Sequence, residues 1–341
     1  MRAVLVPLEI DPVAPAPGSR LLALQGRSMG TGWSARLMLP AGFEADLQDI
    51  LQRELDEIVA QMSHWDANSL LSRYNRAAPD TWHALPPQFF AVMDYALAVS
   101  EDTGGAYDPA AGALVDLWGF GPSGRYDQAG FYAPSPEAVG AVLARRRRRQ
   151  PILDREGRRL YQPGGAILDL SSVAKGHAVD CMAQRLASLG LRHYLVEAGG
   201  ELRGAGVKAD GQPWWVELEG VPDAGGEPLM QPVVALHGLA VATSGDYRRY
   251  YELPMRHHAR RRASHTLDPR SGYPIDNDVA SVTVLAPTCM AADALSTALT
   301  VMGVDDGLPF AEERGLAARF LLRDTGGLRE ADTPAWRELL Q

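Results

Sequence analysis

Cysteine is nearly absent from this chain: Cys181 and Cys289 are the only two in 341 residues. They support neither a disulfide framework nor a zinc site, and both read as small buried residues. Lysine is as scarce. Of 33 basic residues only Lys175 and Lys208 are lysines, leaving 31 arginines, so arginine serves wherever a positive charge is merely needed. Positive charge as a whole is also short, with 33 Lys and Arg against 42 Asp and Glu and a formal net charge of −9. That balance excludes a phosphate-backbone binder. No long apolar run opens the chain. Residues 1–20, MRAVLVPLEIDPVAPAPGSR, carry acidic residues, several prolines and no lipid-acceptor cysteine. They make neither a signal peptide nor a membrane span, and a cytoplasmic location is the expectation. No internal repeat is visible.

What is present is a chain with 46% apolar residues, enough to bury a large core. Residues 1–20 read as a loose Pro-rich lead and 21–341 as a single domain. Segments 21–24 and 33–39 read as strands around the turn Met29-Gly30-Thr31-Gly32, and 43–62 and 86–103 as amphipathic helices. Residues 166–170 read as a strand, 173–189 as a helix with Ser172 as N-cap and Gly190 as stop, and 194–198 as the next strand. Further β-type runs at 214–219, 233–239 and 281–285 follow no regular βαβ period. The fold class is therefore α+β, with antiparallel or mixed sheets and packed helices. The run Arg145 to Arg149 ends a predicted helix from 136 and reads as a solvated C-terminus, favourable with the helix dipole.

The chemistry is densest between Ser264 and Thr300. In a predicted helix over 291–299, Asp293 and Thr297 are four apart and share a face. Either Asp293 caps the helix while Thr297 bonds back to a carbonyl, or the two aim their oxygens at a hard cation such as Mg²⁺. Upstream, His265-Thr266-Leu267-Asp268-Pro269-Arg270-Ser271-Gly272 suggests a strand end running into a tight turn, with His265 at its rim. A histidine there serves structure or proton transfer. The turn from Asp169 to Lys175 leads into a helix N-terminus, a natural anion site for a diphosphate, where a compact ammonium suits a phosphate.

Seven segments together resemble the ApbE-type FAD:protein FMN transferase family, over about 275 residues in the family's order. They are Met29-Gly30-Thr31; Met62-Ser63-His64-Trp65 through Asn75; Thr103 to Pro109 with Leu117-Trp118-Gly119-Phe120-Gly121; Asp169 to Gly176; Gly199-Gly200-Glu201; Thr243 to Tyr247; and the segment from Ser264 itself. The resemblance implies the family's flavin-transferase fold. It assigns flavin contacts to Met29, Trp65, Ala106, Tyr107, Asp108, Asp169, Lys175 and Thr266, and metal contacts to Asp293, Thr297 and the Ser172 carbonyl. Most relatives carry Tyr where this chain has Trp65; both offer a π face for stacking. Ser296 stands where relatives often have a carboxylate, which implies more water around the metal. Many family members are exported lipoproteins, and this chain departs from that pattern.

The reaction the resemblance implies is Mg²⁺-dependent. A Thr or Ser hydroxyl of an acceptor flavoprotein attacks the FMN-side phosphorus of FAD and expels AMP. His265 is the candidate base, with Asp268 or Asp246 to orient it; Asp268 serves turn chemistry equally well. Acceptors are expected among subunits of respiratory or electron-transfer systems. The family's acceptor loop, Asp-Gly-x-Ser/Thr-Gly-Ala-Ser/Thr, is absent from this chain, so transfer is expected to act in trans. Two alternatives remain open: a Mg²⁺-dependent FAD pyrophosphatase with water as nucleophile, and a protein that holds FAD without turning it over. His265 and the Asp293/Thr297 pair argue against the second.

Overall fold

A computed structural model describes residues 3–10, 13–222, 231–254 and 260–340. The chain divides into two compact units, one from Met1–Glu57, Lys175–Ser244 and Asp278–Gln341, the other from Ile58–Ala174 and Gly245–Asn277. Among the described residues, no helix is long and apolar enough to cross a membrane.

The first unit is built on an eight-stranded sheet. Its order is Gly327–Asp332, Ala317–Asp324, Val279–Ala286, Leu239–Gly245, Glu201–Ala205, Tyr194–Ala198, Thr31–Leu39 and Arg20–Ser28. Val279–Ala286 reads VASVTVLA and every residue of it is buried. A strand covered on both faces needs such a run rather than alternation. The helix Cys289–Glu313 packs on it. Thr288 caps this helix through its hydroxyl, which accepts the Ala291 amide, so Asp293 is not the cap. Gly303, at φ 76 and ψ −179, breaks the helical path midway.

The two strands at the other end pair from Arg20↔Leu39 to Ser28↔Thr31. Only Met29 and Gly30 remain for the turn, and both have positive φ, 50 and 73. That is the twist a two-residue hairpin requires. Gly30 adopts it without cost; Met29 stores strain, a feature that clusters at functional positions.

The Pro-rich lead is engaged through residues 3–6, where Leu5 bridges Leu340 and the Val6 amide donates to the Leu339 carbonyl at 2.8 Å. Val4–Leu5 pairs in parallel with Val233 and Val234, and Leu5 is fully buried among Leu236, Leu285 and Trp336. Residues 1, 2, 11 and 12 of the lead lie outside the described residues.

Asp332, at the end of an edge strand of this unit, makes stability pH-dependent. Burial pushes its carboxyl up to about 6; Glu330 adds to the shift, and Arg319 and Arg337 oppose it. Its Oδ1 is buried without a hydrogen-bond partner among the described residues. A carboxyl whose folded pKa lies above its unfolded value stabilises the fold at low pH, and this contribution is lost as pH rises through the folded pKa. Asp332→Asn should therefore raise Tm at pH 7 and leave it nearly unchanged at pH 4. Equal shifts at both pH values would dismiss the titration.

The second unit carries a three-stranded antiparallel sheet, ordered Thr81–Ala84, Arg159–Gln162, Ile152–Asp154. Around it lie helices Leu70–Asn75, Pro87–Asp102, Gly112–Leu117 and Pro136–Arg148. Two short hairpins complete it, Tyr250–Pro254 with Arg260–Ser264 and Leu267–Asp268 with Tyr273–Pro274. Trp118 donates from Nε1 to the Gly272 carbonyl at 2.8 Å. Gly272 has φ +80, and a Cβ there would lie 2.8 Å from Val139. Only glycine meets both demands.

The mixed periods indicated an α+β fold of antiparallel and mixed sheets, and that is the architecture found. Some boundaries differ for local reasons. The helix expected over 43–62 is Leu47–Met62, because Asp46 accepts the Asp49 amide and starts the helix there. Segment 166–170 is extended but not a strand. Its polar groups are shared between side chains and a single parallel bridge: Asn75 both donates to the Leu168 carbonyl and accepts the Leu168 amide, at 2.9 and 2.8 Å, Gln162 does the same for Ala166, and the backbone of 109–112 takes the Ile167 carbonyl and the Asp169 amide. The run over 233–239 ends at Leu236, and a separate strand Leu239–Gly245 follows the turn at Gly238.

Candidate functional site

The sequence-nominated residues fall into one group in each unit. In the first, the helices Ala174–Ser188 and Cys289–Glu313 approach each other closely at Gly176. A Cβ on Gly176 would lie 2.3 Å from the Cys289 carbonyl oxygen and 2.8 Å from the Asp293 Cβ. Asp180 holds the second helix from the first by accepting the Cys289 and Met290 amides at 3.0 and 2.9 Å. The approach delivers Asp293, 3% exposed, to the Gly176 amide, which donates to Oδ2 at 2.9 Å.

Lys175 lies beside it. Its ammonium pairs with Glu201 and sits 3.6 Å from Asp293 Oδ1. Burial alone would lower the pKa of this lysine, but Asp293 and Glu201 outweigh it and hold the amine above its ordinary range. Burial pushes the Asp293 carboxyl up, while the Lys175 ammonium and the Gly176 amide pull it back. One turn further on, Thr297 Oγ1 lies 2.9 Å from the Ser244 hydroxyl, which also meets Ser296 at 2.8 Å. Thr297 thus bonds across to a neighbouring strand.

Among the described residues, no three His, Cys, Asp or Glu side chains form a metal cage. An oxygen-only set needs none. A buried carboxylate with a hydroxyl one turn away fits a hard cation, because a second positive charge would offset the cost of burying Asp293. Gly176→Ala tests the geometry. The added methyl has backbone on one side, so the helices must part, and a loss of about 1–3 kcal/mol is expected in chemical denaturation. A variant as stable as the parent would show that the approach is looser than described. Met29 lies in the strained hairpin turn of this same unit.

In the second unit, Tyr107 and Ala106 are buried, 2% and 1% exposed. Both side chains are thus enclosed within this unit. Asp108 accepts the Ala110 amide at 2.7 Å and pairs with Arg146. Trp65, by contrast, is 48% exposed. Arg125 lies over its ring at 5.7 Å and His64 packs beside it at 5.1 Å.

Asp169 accepts the Ser171 amide and hydroxyl, and lies 3.5 Å from His64 Nδ1. His64 and Asp169 border a cavity of about 200 Å³ that also takes in Asn75, Arg76 and Asp116. Ser172 sits in the turn just before the helix, where the Leu170 carbonyl accepts the Val173 and Ala174 amides.

His265 follows the strand Arg260–Ser264, and its ring packs on Phe120 at 6.2 Å. Nδ1 lies 3.1 Å from the Arg249 carbonyl, which also accepts the His265 amide at 3.0 Å. A carbonyl only accepts, so Nδ1 carries the proton and Nε2 is left as the basic nitrogen of the neutral ring. Thr266 is buried next to it. Asp268 is taken up by Arg270, which donates its amide at 2.9 Å and its Nε at 2.9 Å. These are turn contacts, and the Arg249 carbonyl is one group that orients the His265 ring. Asp246 lies 3.6 Å from Arg262.

Sequence reasoning missed Arg146, whose guanidinium is buried inside a run read as solvated. The signal was present: Val139, Leu143 and Arg146 are spaced to share one helix face. A carbonyl such as that of Arg249 leaves no side-chain signature at all.

A family profile described as the ApbE family matches residues 29–320. The FAD:protein FMN transferase of Haemophilus influenzae is 32% identical over 336 residues, covering 95% of this chain and 92% of that protein. Its counterpart from Vibrio cholerae is 36% identical over 322 residues, covering 93% and 92%. Among solved structures, the apo form of Pseudomonas stutzeri flavinyl transferase ApbE superposes with a TM-score of 0.82 at 35% identity, covering 94% of this chain and 97% of that one.

Proposed function

The chain belongs to the ApbE family and is a transferase, and from that premise we propose that it moves FMN from FAD to a Ser or Thr hydroxyl of a separate acceptor protein. AMP is the leaving group. The observation that carries this reading is the buried Asp293, one turn from Thr297 and beside the Lys175 ammonium. It is an oxygen site for a hard cation next to a fixed positive charge, which is what a diphosphate substrate requires.

Asp293 and Thr297 are the residues that would hold Mg²⁺. When bound, the ion neutralises charge on the diphosphate and on the departing phosphate. The acceptor hydroxyl oxygen attacks the FMN-side phosphorus as the bond from that phosphorus to the AMP oxygen breaks. Its proton passes to Nε2 of His265, the nitrogen made basic by the Nδ1 contact with Arg249. Asp268 serves by shaping the turn through Arg270. Trp65 supplies the exposed π face for the flavin, and Asp169 and the backbone of the 106–108 loop supply polar contacts. The family match runs through both units, which supports treating residues 21–341 as one catalytic domain. The acceptor is a flavoprotein subunit of a respiratory or electron-transfer system.

Trp65→Ala should weaken FAD binding about tenfold, the scale of one stacking contact. Fluorescence titration reads this directly, and an unchanged Kd would remove Trp65 from the flavin site. The reaction itself is tested by incubating the protein with FAD and Mg²⁺, with and without an acceptor peptide. AMP release that depends on the acceptor is expected. Release at the same rate without it would make water the nucleophile and the protein a pyrophosphatase.

A further inference from the structure

The five arginines Arg145 to Arg149 are not one solvated cluster. Arg145, Arg147, Arg148 and Arg149 are exposed, whereas Arg146 is buried. Its guanidinium makes three bonds to two different segments. Nη2 donates to Asp108 Oδ2, Nε to the Ala110 carbonyl at 3.2 Å, and Nη1 to the Pro269 carbonyl at 2.7 Å. Asp108 is a nominated flavin contact. Pro269 follows Asp268 in the turn that begins at His265. One side chain thus fastens the loop that meets the donor to the turn that carries the base.

The helix Pro136–Arg148 is itself anchored for this task. Val139 and Leu143 press on Gly272, the glycine of that same turn, where even a Cβ would collide. Trp118 holds the Gly272 carbonyl from the other side. Removing a guanidinium and a carboxylate from water is costly, and an apolar pair would fill the space with less penalty. The planar fork of arginine satisfies three acceptors in fixed directions, which an ammonium cannot do.

Resting on the flavin-transfer reading, we propose that Arg146 is a positioning residue of the reaction. It holds the 106–110 loop and the 265–272 turn in one register, so that bound FAD and the His265 ring are aligned. It touches neither substrate nor the reacting atoms; it acts through Asp108 and the Pro269 backbone.

The test uses the full chain with FAD, Mg²⁺ and an acceptor peptide, reading Tm, KM for each substrate and kcat. Arg146→Lys keeps the charge beside Asp108 and loses the fork. Its kcat/KM for FAD should fall by about 10²-fold, the scale of a misplacement of roughly 1 Å, with KM for the acceptor unchanged at temperatures well below Tm. Because that variant leaves the Ala110 carbonyl, the Pro269 carbonyl or both unsatisfied, a second is needed that removes the buried charges together. Asp108→Asn with Arg146→Gln should be no slower than Asp108→Asn alone, since both changes break one alignment. Arg148→Ala, on the exposed side of the same turn, serves as control and should match the parent.

A lowered Tm in Arg146→Lys with parental kcat/KM for FAD would make Arg146 purely structural and overturn the inference. Strictly additive losses in the double variant would do the same. A parent chain that neither binds FAD nor releases AMP would overturn the flavin-transfer reading, and the inference with it; a competent parent with an equally competent lysine variant overturns the inference alone.

Discussion

Replacing His265 by alanine is expected to slow FMN transfer by about 10²–10⁴-fold, the usual contribution of a positioned general base. The affinity for FAD should hardly change, because the ring acts on the acceptor's proton in the transition state rather than on the bound donor. The Arg249 carbonyl sharpens this expectation. It accepts a hydrogen bond from Nδ1–H and so presets the tautomer with a basic Nε2, which gives the ring a defined role before any substrate arrives. His265→Gln retains a polar side chain but no comparable base and should be nearly as slow. Comparing single-turnover rates with FAD titrations separates the two roles. A loss of affinity as large as the loss of rate would make His265 a binding residue.

Asp293→Asn should be as damaging. The amide is nearly the same shape and its oxygen can still accept the Gly176 amide, and Lys175 keeps its Glu201 partner. Helix packing should therefore survive, with Tm close to that of the parent. What is lost is the negative charge that would hold a hard cation. AMP release should fall by roughly 10²-fold or more at low Mg²⁺, with partial recovery as Mg²⁺ is raised, since the remaining oxygen ligands still bind weakly. A variant with parental activity at limiting Mg²⁺ would place the metal elsewhere in the protein.

The parts of this fold that were legible in the sequence are those fixed by local chemistry. The hairpin follows from the strand-turn-strand pattern of 21–24, Met29-Gly30-Thr31-Gly32 and 33–39, although the strands pair further than read, up to Ser28 and Thr31, and shorten the turn to two residues. Strand Tyr194–Ala198 follows from a β-branched and aromatic run after a glycine stop. Asp293 and Thr297 share a face because helical spacing says so.

What was not legible depends on partners distant in sequence. Segment 166–170 has strand-like residues, yet Asn75 and Gln162 take the Leu168 and Ala166 backbone groups, and no local pattern announces a side chain standing in for a neighbouring strand. Trp65 and Tyr107 look alike as aromatic candidates, and only burial separates the exposed ring from the enclosed one. Arg146 was hidden by its neighbours, since four exposed arginines make the fifth look solvated as well.

Transfer in trans is read out by intact-mass spectrometry. The protein is incubated with FAD and Mg²⁺ alone, then with an acceptor peptide carrying a Gly-flanked Ser or Thr in a flexible loop. Flavin transfer predicts that this chain keeps its own mass in both reactions, while the acceptor gains a single FMN through an acid-stable phosphoester as AMP appears in equal amount. An acceptor that stays unmodified while FMN and AMP accumulate, or FMN found on a Ser or Thr of this chain itself, would contradict it.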